Sequence, residues 1–159
     1  MLIMEQLLEY RQRLLERFEA VSEQMERLLK DEPAQDWHTP LDPESWTPHQ
    51  ILAHVRDAEM HEFFPCIQSI LDQETPLSDC FDREAWMSSS YRPDEPLEAI
   101  RNDLQGLNAR KLERLRDLPS AGWSRTGRHP TWGLRSLQWW VEQSLSHTEE
   151  HLKQVMGDK

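Results

Sequence analysis

The chain has 159 residues, of which 18 are basic and 29 are acidic, so its formal net charge is −11. This acidic balance disfavours binding to the phosphate backbone of nucleic acids, and the sequence contains no apolar run typical of a signal peptide or a membrane span. We therefore expect one cytoplasmic domain over residues 1–159, with no nucleic-acid or membrane partner and with Cys66 and Cys80 as free thiols.

The first predicted element is an amphipathic helix over residues 2–30. Its apolar side chains recur at alternating spacings of three and four residues, which indicates one buried stripe in a helical bundle. They are Met4, Leu7, Leu14, Phe18, Val21, Met25 and Leu28. Arg11 interrupts this stripe. Either Tyr10 covers the position while Arg11 reaches solvent along its aliphatic stem, or Arg11 faces a polar cavity.

A loop over residues 31–46 precedes the second predicted helix, which extends from Pro48 to about Leu71. Thr47 can cap the first turn, proline is favoured at the first helical position, and Gln50 completes a capping box. The start of this helix is therefore well defined by its sequence.

The inward face of the second helix has an unusual composition. Its stripe contains Ile51, His54, Ala58 and His61, where leucines would be expected. Pro65 follows on the same predicted face and should kink or end the regular helix.

Two long connections and two helices are predicted in the rest of the chain. They are a connection over residues 72–94, a third helix over 95–118, a loop over 119–132 and a final helix over 133–156, capped by Thr131. One apolar stripe of the final helix runs from Leu134 to Val155. The first connection is long enough, at about 3.3 Å per extended residue, to return the third helix parallel to the second.

Three histidines on two predicted helices form the candidate functional site. His147 and His151 are four residues apart, so both imidazoles project from one helix face within reach of a single metal ion. His54 lies in an apolar run of the second helix and is the candidate third ligand. Neutral imidazole commonly binds zinc, nickel, iron and copper, and three imidazoles leave positions open for water or substrate. The pattern favours an internal divalent metal centre.

Other residues are alternatives or possible additions to this site. His61 competes with His54, but roughly 10 Å of helix axis separates the two, too far for one ion to bind both. A carboxylate could orient a ligand or complete the metal shell, although exposed helix charge is the commoner role. The carboxylates near the three histidines are Asp57, Glu59, Glu149 and Glu150. The remaining histidines, predicted to be solvated loop or cap residues, are His38, His49 and His129.

Motifs of other chemistries are missing from the sequence. It contains no glycine-rich phosphate loop, no GxSxG and no HExxH pattern, and neither cysteine has a recognisable catalytic setting. No general base or other catalytic residue is assigned.

Two segments resemble motifs of the DinB/YfiT-like superfamily. Residues 46–59 (Trp-Thr-Pro-His-Gln-Ile-Leu-Ala-His-Val-Arg-Asp-Ala-Glu) resemble its second-helix motif. Residues 129–133 (His-Pro-Thr-Trp-Gly), followed by 147–154 (His-Thr-Glu-Glu-His-Leu-Lys-Gln), are similar to its final-helix motif. The resemblance implies an all-α four-helix bundle of up-down-down-up topology, with a long crossover between helices two and three.

The same resemblance implies a function. It implies a divalent metal ion that is held by His54, His147 and His151. Zinc or nickel is the expected ion, and manganese and iron are further candidates. It also implies a homodimer acting on a small-molecule substrate, as a thiol-S-transferase that uses a low-molecular-weight thiol or as a hydrolase. The ion would activate a bound water or thiol. The alternative hypothesis is a non-catalytic helical metal-binding or stress-response protein.

Overall fold

The computed structural model describes residues 1–31 and 36–157, so part of the predicted loop over 31–46 lies outside the described residues. The elements are α1 (Leu2–Asp31), α2 (Pro48–Ala58), a π-helical turn (Glu59–Phe63), α3 (Phe64–Asp72), α4 (Arg83–Ser90), α5 (Leu97–Arg116), α6 (Ser120–Trp123), β1 (Thr126–His129), β2 (Gly133–Ser136) and α7 (Leu137–Met156). We call the uninterrupted run of α2, the π-helical turn and α3 the second bundle helix. It packs against α5 and α7, and α1 completes the bundle by packing against the same two helices.

Side-chain pairs between these helices define their directions. The pairs are Arg11–Gln138 and Arg17–Glu149 between α1 and α7, His54–His147 and Phe63–Trp140 between the second bundle helix and α7, and Arg56–Asp103 and Glu59–Lys111 between the second bundle helix and α5. Along the chain, α1 and α7 therefore run parallel, while the second bundle helix and α5 both run opposite to them. This is the predicted up-down-down-up four-helix bundle. Within the described ranges, no helix combines the length and apolarity needed to cross a membrane.

The second bundle helix begins as its sequence predicts. The Thr47 hydroxyl accepts a hydrogen bond from the Gln50 backbone N–H at 3.1 Å, and the Gln50 side-chain oxygen accepts one from the Thr47 N–H at 2.8 Å. This capping box satisfies two backbone donors at the helix start and contributes about 1 kcal/mol. It also fixes the position of His54, which lies in the second turn.

The middle of the second bundle helix differs from the prediction. The helix continues past Pro65, and the interruption is a π-helical turn at Glu59–Phe63. In a regular helix the proline ring would clash with the carbonyl four residues earlier, which is a physical reason for a wider turn here. A π turn holds extra backbone and rotates the following residues about the axis. The inward placement of His61 and Pro65 is therefore wrong, and both are exposed.

The crossover between the second bundle helix and α5 contains a helix that the sequence did not predict. The Asp82 carboxylate caps α4 by accepting a hydrogen bond from the Ala85 N–H at 3.0 Å. The serines predicted to lie in a loop form the last turns of α4, where Ser88 and Ser89 donate to carbonyls four residues earlier. No residue of α4 is buried, so the segment lacks the apolar periodicity by which a helix is predicted.

The segment between α5 and α7 also differs from the predicted loop. It forms α6 and then a β-hairpin in which Thr126 pairs with Ser136 and His129 with Gly133. Gly133 adopts a φ of +72°, which glycine reaches without steric cost. Ser136, rather than Thr131, caps α7 by accepting a hydrogen bond from the Trp139 N–H at 3.2 Å.

Three predicted stripe positions also change. Met4 of α1 is half exposed, so the buried stripe does not begin at that residue. Leu134 lies on β2, half exposed, so it is not part of the α7 stripe. Arg11 is buried, donates from Nε to the Gln138 side chain at 2.9 Å and lies over the Trp123 ring, whereas Tyr10 is at the surface. The hypothesis in which Tyr10 covers a solvent-directed Arg11 is therefore wrong.

A guanidinium group ties the crossover to the bundle. The buried Arg56 donates from Nε to Asp57, from Nη1 and Nη2 to Glu95, and from Nη1 to Asp103, at distances between 2.6 and 2.9 Å. All three nitrogens of this guanidinium are thus used by carboxylates. Charge-assisted bonds of this kind hold the start of α5 against α2.

A buried ion pair links three helices in the bundle interior. The Lys111 ammonium lies 2.5 Å from the Glu59 carboxylate and donates to the Ser144 hydroxyl at 2.8 Å. The Ser144 hydroxyl in turn donates to Glu59 at 2.6 Å. All three side chains are almost completely buried, and the ammonium lies over the Phe18 ring. The expectation that Glu59 is an exposed helix charge is therefore wrong.

Replacing Lys111 with methionine should destabilise the fold by about 3–5 kcal/mol, because the Glu59 carboxylate would stay buried without a counter-ion. The measurement is the free energy of unfolding from denaturant titration. The double variant Glu59→Met/Lys111→Met should recover most of the loss, and Lys153→Met, at an exposed position of α7, should change the free energy by less than about 0.5 kcal/mol. Wild-type stability of Lys111→Met would contradict this interpretation.

Candidate metal centre

The structure brings the three predicted histidines together between α2 and α7. One ring nitrogen from each of His54, His147 and His151 lies within 4.8 Å of the other two. The Nε2 atoms of His54 and His147 are 3.1 Å apart. Bonds of about 2.0–2.1 Å from one ion to two imidazoles, at tetrahedral or octahedral angles, place the two nitrogens about 2.8–3.4 Å apart. The geometry of this pair therefore fits a shared metal ion.

The fold explains why these side chains meet. His147 and His151 are one turn apart on α7, and their rings lie 4.5 Å apart and nearly perpendicular. The antiparallel second bundle helix places His54 opposite both of them, with ring centroids at 5.0 and 4.9 Å. Aromatic rings flank the cluster, since Trp46 contacts His54 and Phe63 contacts His147. This cluster is the candidate metal centre, and the role of its members as ligands stays a prediction.

The electrostatic surroundings keep two of these imidazoles neutral. Burial, reinforced by electrostatic interactions with His151 and Arg83, lowers the pKa of His54 to about 4. The same effects, again led by burial, lower the pKa of His147 to about 2. At neutral pH both rings are therefore uncharged, and each offers a lone pair to a metal ion. The donor set fits a divalent transition metal.

One ligand candidate has a hydrogen-bond partner that orients its ring. His151 Nδ1–H donates to the Gln154 side-chain oxygen at 2.7 Å, which leaves Nε2 as the nitrogen with a free lone pair. His147 differs, because its Nδ1 atom is buried and has no partner in the part of the chain that the structure describes.

The four carboxylates considered from the sequence do not contact these imidazoles in the described ranges. Their ion-pair partners are Arg56 for Asp57, Lys111 for Glu59 and Arg17 for Glu149. Asp57 and Glu59 are buried rather than exposed, because each has a cationic partner inside the fold. Glu150 is exposed, as expected for a solvated helix charge.

The other four histidines lie apart from the cluster. His61 packs against Phe81 and Trp86 of the crossover, and His38 is exposed as predicted. The prediction of solvated side chains is wrong for His49 and His129, which are both buried. His49 accepts a hydrogen bond from the Tyr91 hydroxyl at 2.6 Å and donates to the Glu95 carbonyl at 2.7 Å.

Two cavities adjoin the histidine cluster, one at His151 and the other at His147. A wide cavity of about 820 Å³ is bounded by His151 and by residues near the start of α2, including Trp46 and Ile51. A narrow cavity of about 220 Å³ is bounded by His147. The other walls of the narrow cavity are mainly aromatic, with one arginine, and include Phe63, Arg83, Trp132, Trp139 and Trp140. Sequence reasoning missed Arg83, because it lies in the crossover without a recognisable motif.

Alanine at any of the three clustered histidines should remove most of the bound metal, because two imidazoles alone hold a divalent ion weakly. The measurement is the metal content of tag-free protein for His54→Ala, His147→Ala and His151→Ala, with circular dichroism as a check of folding. His38→Ala, at an exposed position, is the matched control and should retain wild-type metal content. Equal retention in all four variants would refute the site.

Gln154→Ala should weaken metal binding by about tenfold to a hundredfold, because His151 would lose the acceptor that fixes its ring. A competition titration with a chromogenic chelator measures this affinity. Gln68→Ala, an exposed glutamine on α3, should leave the affinity unchanged. If both variants bind metal as tightly as wild type, the Gln154 hydrogen bond does not support the site.

Comparison with known proteins agrees with this fold. A sequence profile of the DinB superfamily matches residues 6–155. A proposed metal-dependent hydrolase of Oceanobacillus iheyensis is 26% identical over 110 residues, which cover 69% of this chain and 63% of the relative. This chain therefore aligns with less than two thirds of that protein's length.

Two solved structures share the architecture. YfiT of Bacillus subtilis has been proposed to be a metal-dependent hydrolase and is described as a four-helix bundle of unusual topology. It superposes on this protein with a TM-score of 0.80 at 22% sequence identity, and the match covers 93% of this chain and 85% of YfiT. The four-helix bundle protein TT2238 superposes with a TM-score of 0.60 at 23% identity, over 90% of this chain and 95% of its own. Since the profile covers nearly the whole chain, this protein belongs to the DinB superfamily.

Proposed function

We propose that this protein is a metal-dependent enzyme of hydrolase or thiol-S-transferase type. In this proposal His54, His147 and His151 hold a divalent ion, zinc or nickel first and manganese or iron as further candidates. The observation that carries the proposal is the convergence of three imidazoles, one ring nitrogen from each, within 4.8 Å at a place that two cavities reach. Three protein ligands leave at least one position for a water or a substrate atom.

The chemistry follows from the donor set. A divalent ion at this site supplies Lewis acidity, which lowers the pKa of a bound water or thiol so that the anion is available near neutral pH. The protein's part is to present neutral imidazoles, to orient His151 through Gln154 and to surround the reacting atoms with Trp46, Phe63 and the aromatic wall of the narrow cavity. Such walls exclude bulk water and strengthen electrostatic interactions at the site.

A thiol, if one takes part, would come from a small molecule. Cys66 is buried, and burial raises the pKa of its thiol to about 11. Cys80 is exposed and bounds neither of the cavities that reach the histidines. The described chain thus places no reactive cysteine at the site, which supports a low-molecular-weight thiol as cosubstrate. Hydrolysis is supported by what has been proposed for the Oceanobacillus iheyensis relative and for YfiT.

The test is a metal-dependent activity screen. Tag-free protein reconstituted with Zn, Ni, Mn or Fe is assayed against a panel of nitrophenyl esters and amides, and against electrophilic acceptors with low-molecular-weight thiols. Turnover should disappear after chelation and return when the metal is restored. His147→Ala should lower the rate by at least about a hundredfold, whereas His38→Ala should not change it.

The outcomes separate an enzyme from a binding protein. Full metal occupancy without turnover on any member of the panel would favour the non-catalytic metal-binding alternative. Turnover that survives both chelation and His147→Ala would show that the histidine cluster is not the active centre.

A further inference from the structure

A second small cavity adjoins the narrow one. It has a volume of about 260 Å³, and Glu62, Arg83 and Trp132 belong to the walls of both cavities. Its walls also include His129 and Thr131 of the hairpin. A molecule that reaches His147 through the narrow cavity therefore meets residues of the crossover and of the hairpin on its way.

Arg83 is held in place but is only partly paired. Its Nε and Nη2 atoms donate to the two oxygens of Glu62 at 3.2 and 2.8 Å. Glu62 is buried, and the guanidinium also lies 5.0 Å from the Phe63 ring centroid. Nη1 has no hydrogen-bond partner among the residues that the structure describes. Arg56 is the contrast inside the same molecule, since carboxylates occupy all three of its nitrogens.

His129 offers a second donor. Its Nδ1 atom accepts hydrogen bonds from the backbone N–H groups of Thr131 and Trp132 at 3.1 and 3.2 Å. In the neutral ring the proton must therefore be on Nε2, and burial lowers the pKa of His129, which favours the neutral ring. Nε2 is buried and has no partner in the described ranges. Because Nδ1 is committed to the hairpin, His129 acts as a hydrogen-bond donor rather than as a base.

We infer that Arg83 and His129 bind a carboxylate group of the substrate, while its reacting part lies at the histidine cluster. Both residues belong to the wall of one small cavity, and a carboxylate has two oxygens that accept from such a pair of donors. This inference rests on the proposed function and adds a substrate class to it, namely small organic acids.

The charges around the cavity favour a singly charged group. Glu62 already uses part of the Arg83 charge, and Asp82 and Glu84 belong to the same cavity wall. These carboxylates, together with Glu150 in the wall of the narrow cavity, repel a doubly charged phosphate more strongly than a singly charged carboxylate. The aromatic side chains of Trp132, Trp139 and Trp140 fit an apolar body between the carboxylate and the reacting atoms.

The experiment measures binding of benzoate, with benzamide as the neutral analogue, by isothermal titration calorimetry. Chelator-treated protein is titrated first, so that the carboxylate cannot bind to a metal ion, and zinc-loaded protein second. Benzoate should bind at least about tenfold more tightly than benzamide in both states, because its hydrogen bonds to the two donors are charge-assisted.

Two conservative variants test the donors separately. His129→Asn keeps a side-chain acceptor for the hairpin N–H groups but removes the donor, and Arg83→Lys keeps a positive charge beside Glu62 but removes Nη1. Each should lower the affinity for benzoate by about tenfold or more, with metal content and thermal midpoint close to wild type. Arg128→Gln, which removes one charge from an exposed neighbouring position, should bind benzoate like wild type.

Three results would overturn the inference. They are no binding of benzoate to wild-type protein, equal binding of benzoate and benzamide, or unchanged benzoate affinity in both donor variants. Failure of the proposed function is seen separately, as a wild-type protein that takes up no metal. The titration of chelator-treated protein does not depend on that outcome.

Discussion

The ion pair between Glu59 and Lys111 sets how three helices of the bundle meet. Two opposite charges in an apolar interior must stay in contact, because a separated charge there would lose both water and its partner. The Ser144 hydroxyl completes the arrangement by bonding to both groups. Only one relative position of the second bundle helix, α5 and α7 keeps all these bonds. The pair therefore fixes the axial and rotational register of these three helices.

The histidine cluster depends on this register. His54 lies five residues before Glu59, and His147 lies three residues after Ser144, so these two ligand candidates are each about one turn from the ion pair, and His151 follows one turn further along α7. A helical shift of one residue would rotate these imidazoles by about 100° and separate their nitrogens. A buried charge pair that contributes little net stability can thus still be important, because it specifies a single geometry.

The sequence predicted the parts of this protein that depend on local pattern. Apolar stripes and the Thr47–Gln50 capping box defined the long helices, and the spacing of His147 and His151 pointed to the cluster. The π-helical turn was not predictable from the sequence, because the apolar pattern continues across this segment. Only the outward position of His61 in the structure indicates the extra backbone of the turn. The burial of His49 and His129 was also missed, since their partners lie in the crossover and in the hairpin turn. Short strands and a helix without buried residues carry too little periodicity to be recognised.

The candidate metal ligands all lie on long bundle helices, whereas all but one of the residues that bound the second small cavity lie in the crossover or the β-hairpin, which are connections. A bundle helix is fixed by its neighbours on several sides, so a change in its sequence disturbs the core. A connection tolerates substitution, insertion and change of length far better. In the proposed function, the metal centre and the residues inferred to bind the substrate carboxylate are therefore encoded by separate stretches of polypeptide. Such an arrangement allows substitutions in the connections to change substrate recognition while the metal-binding histidines of the bundle helices are kept.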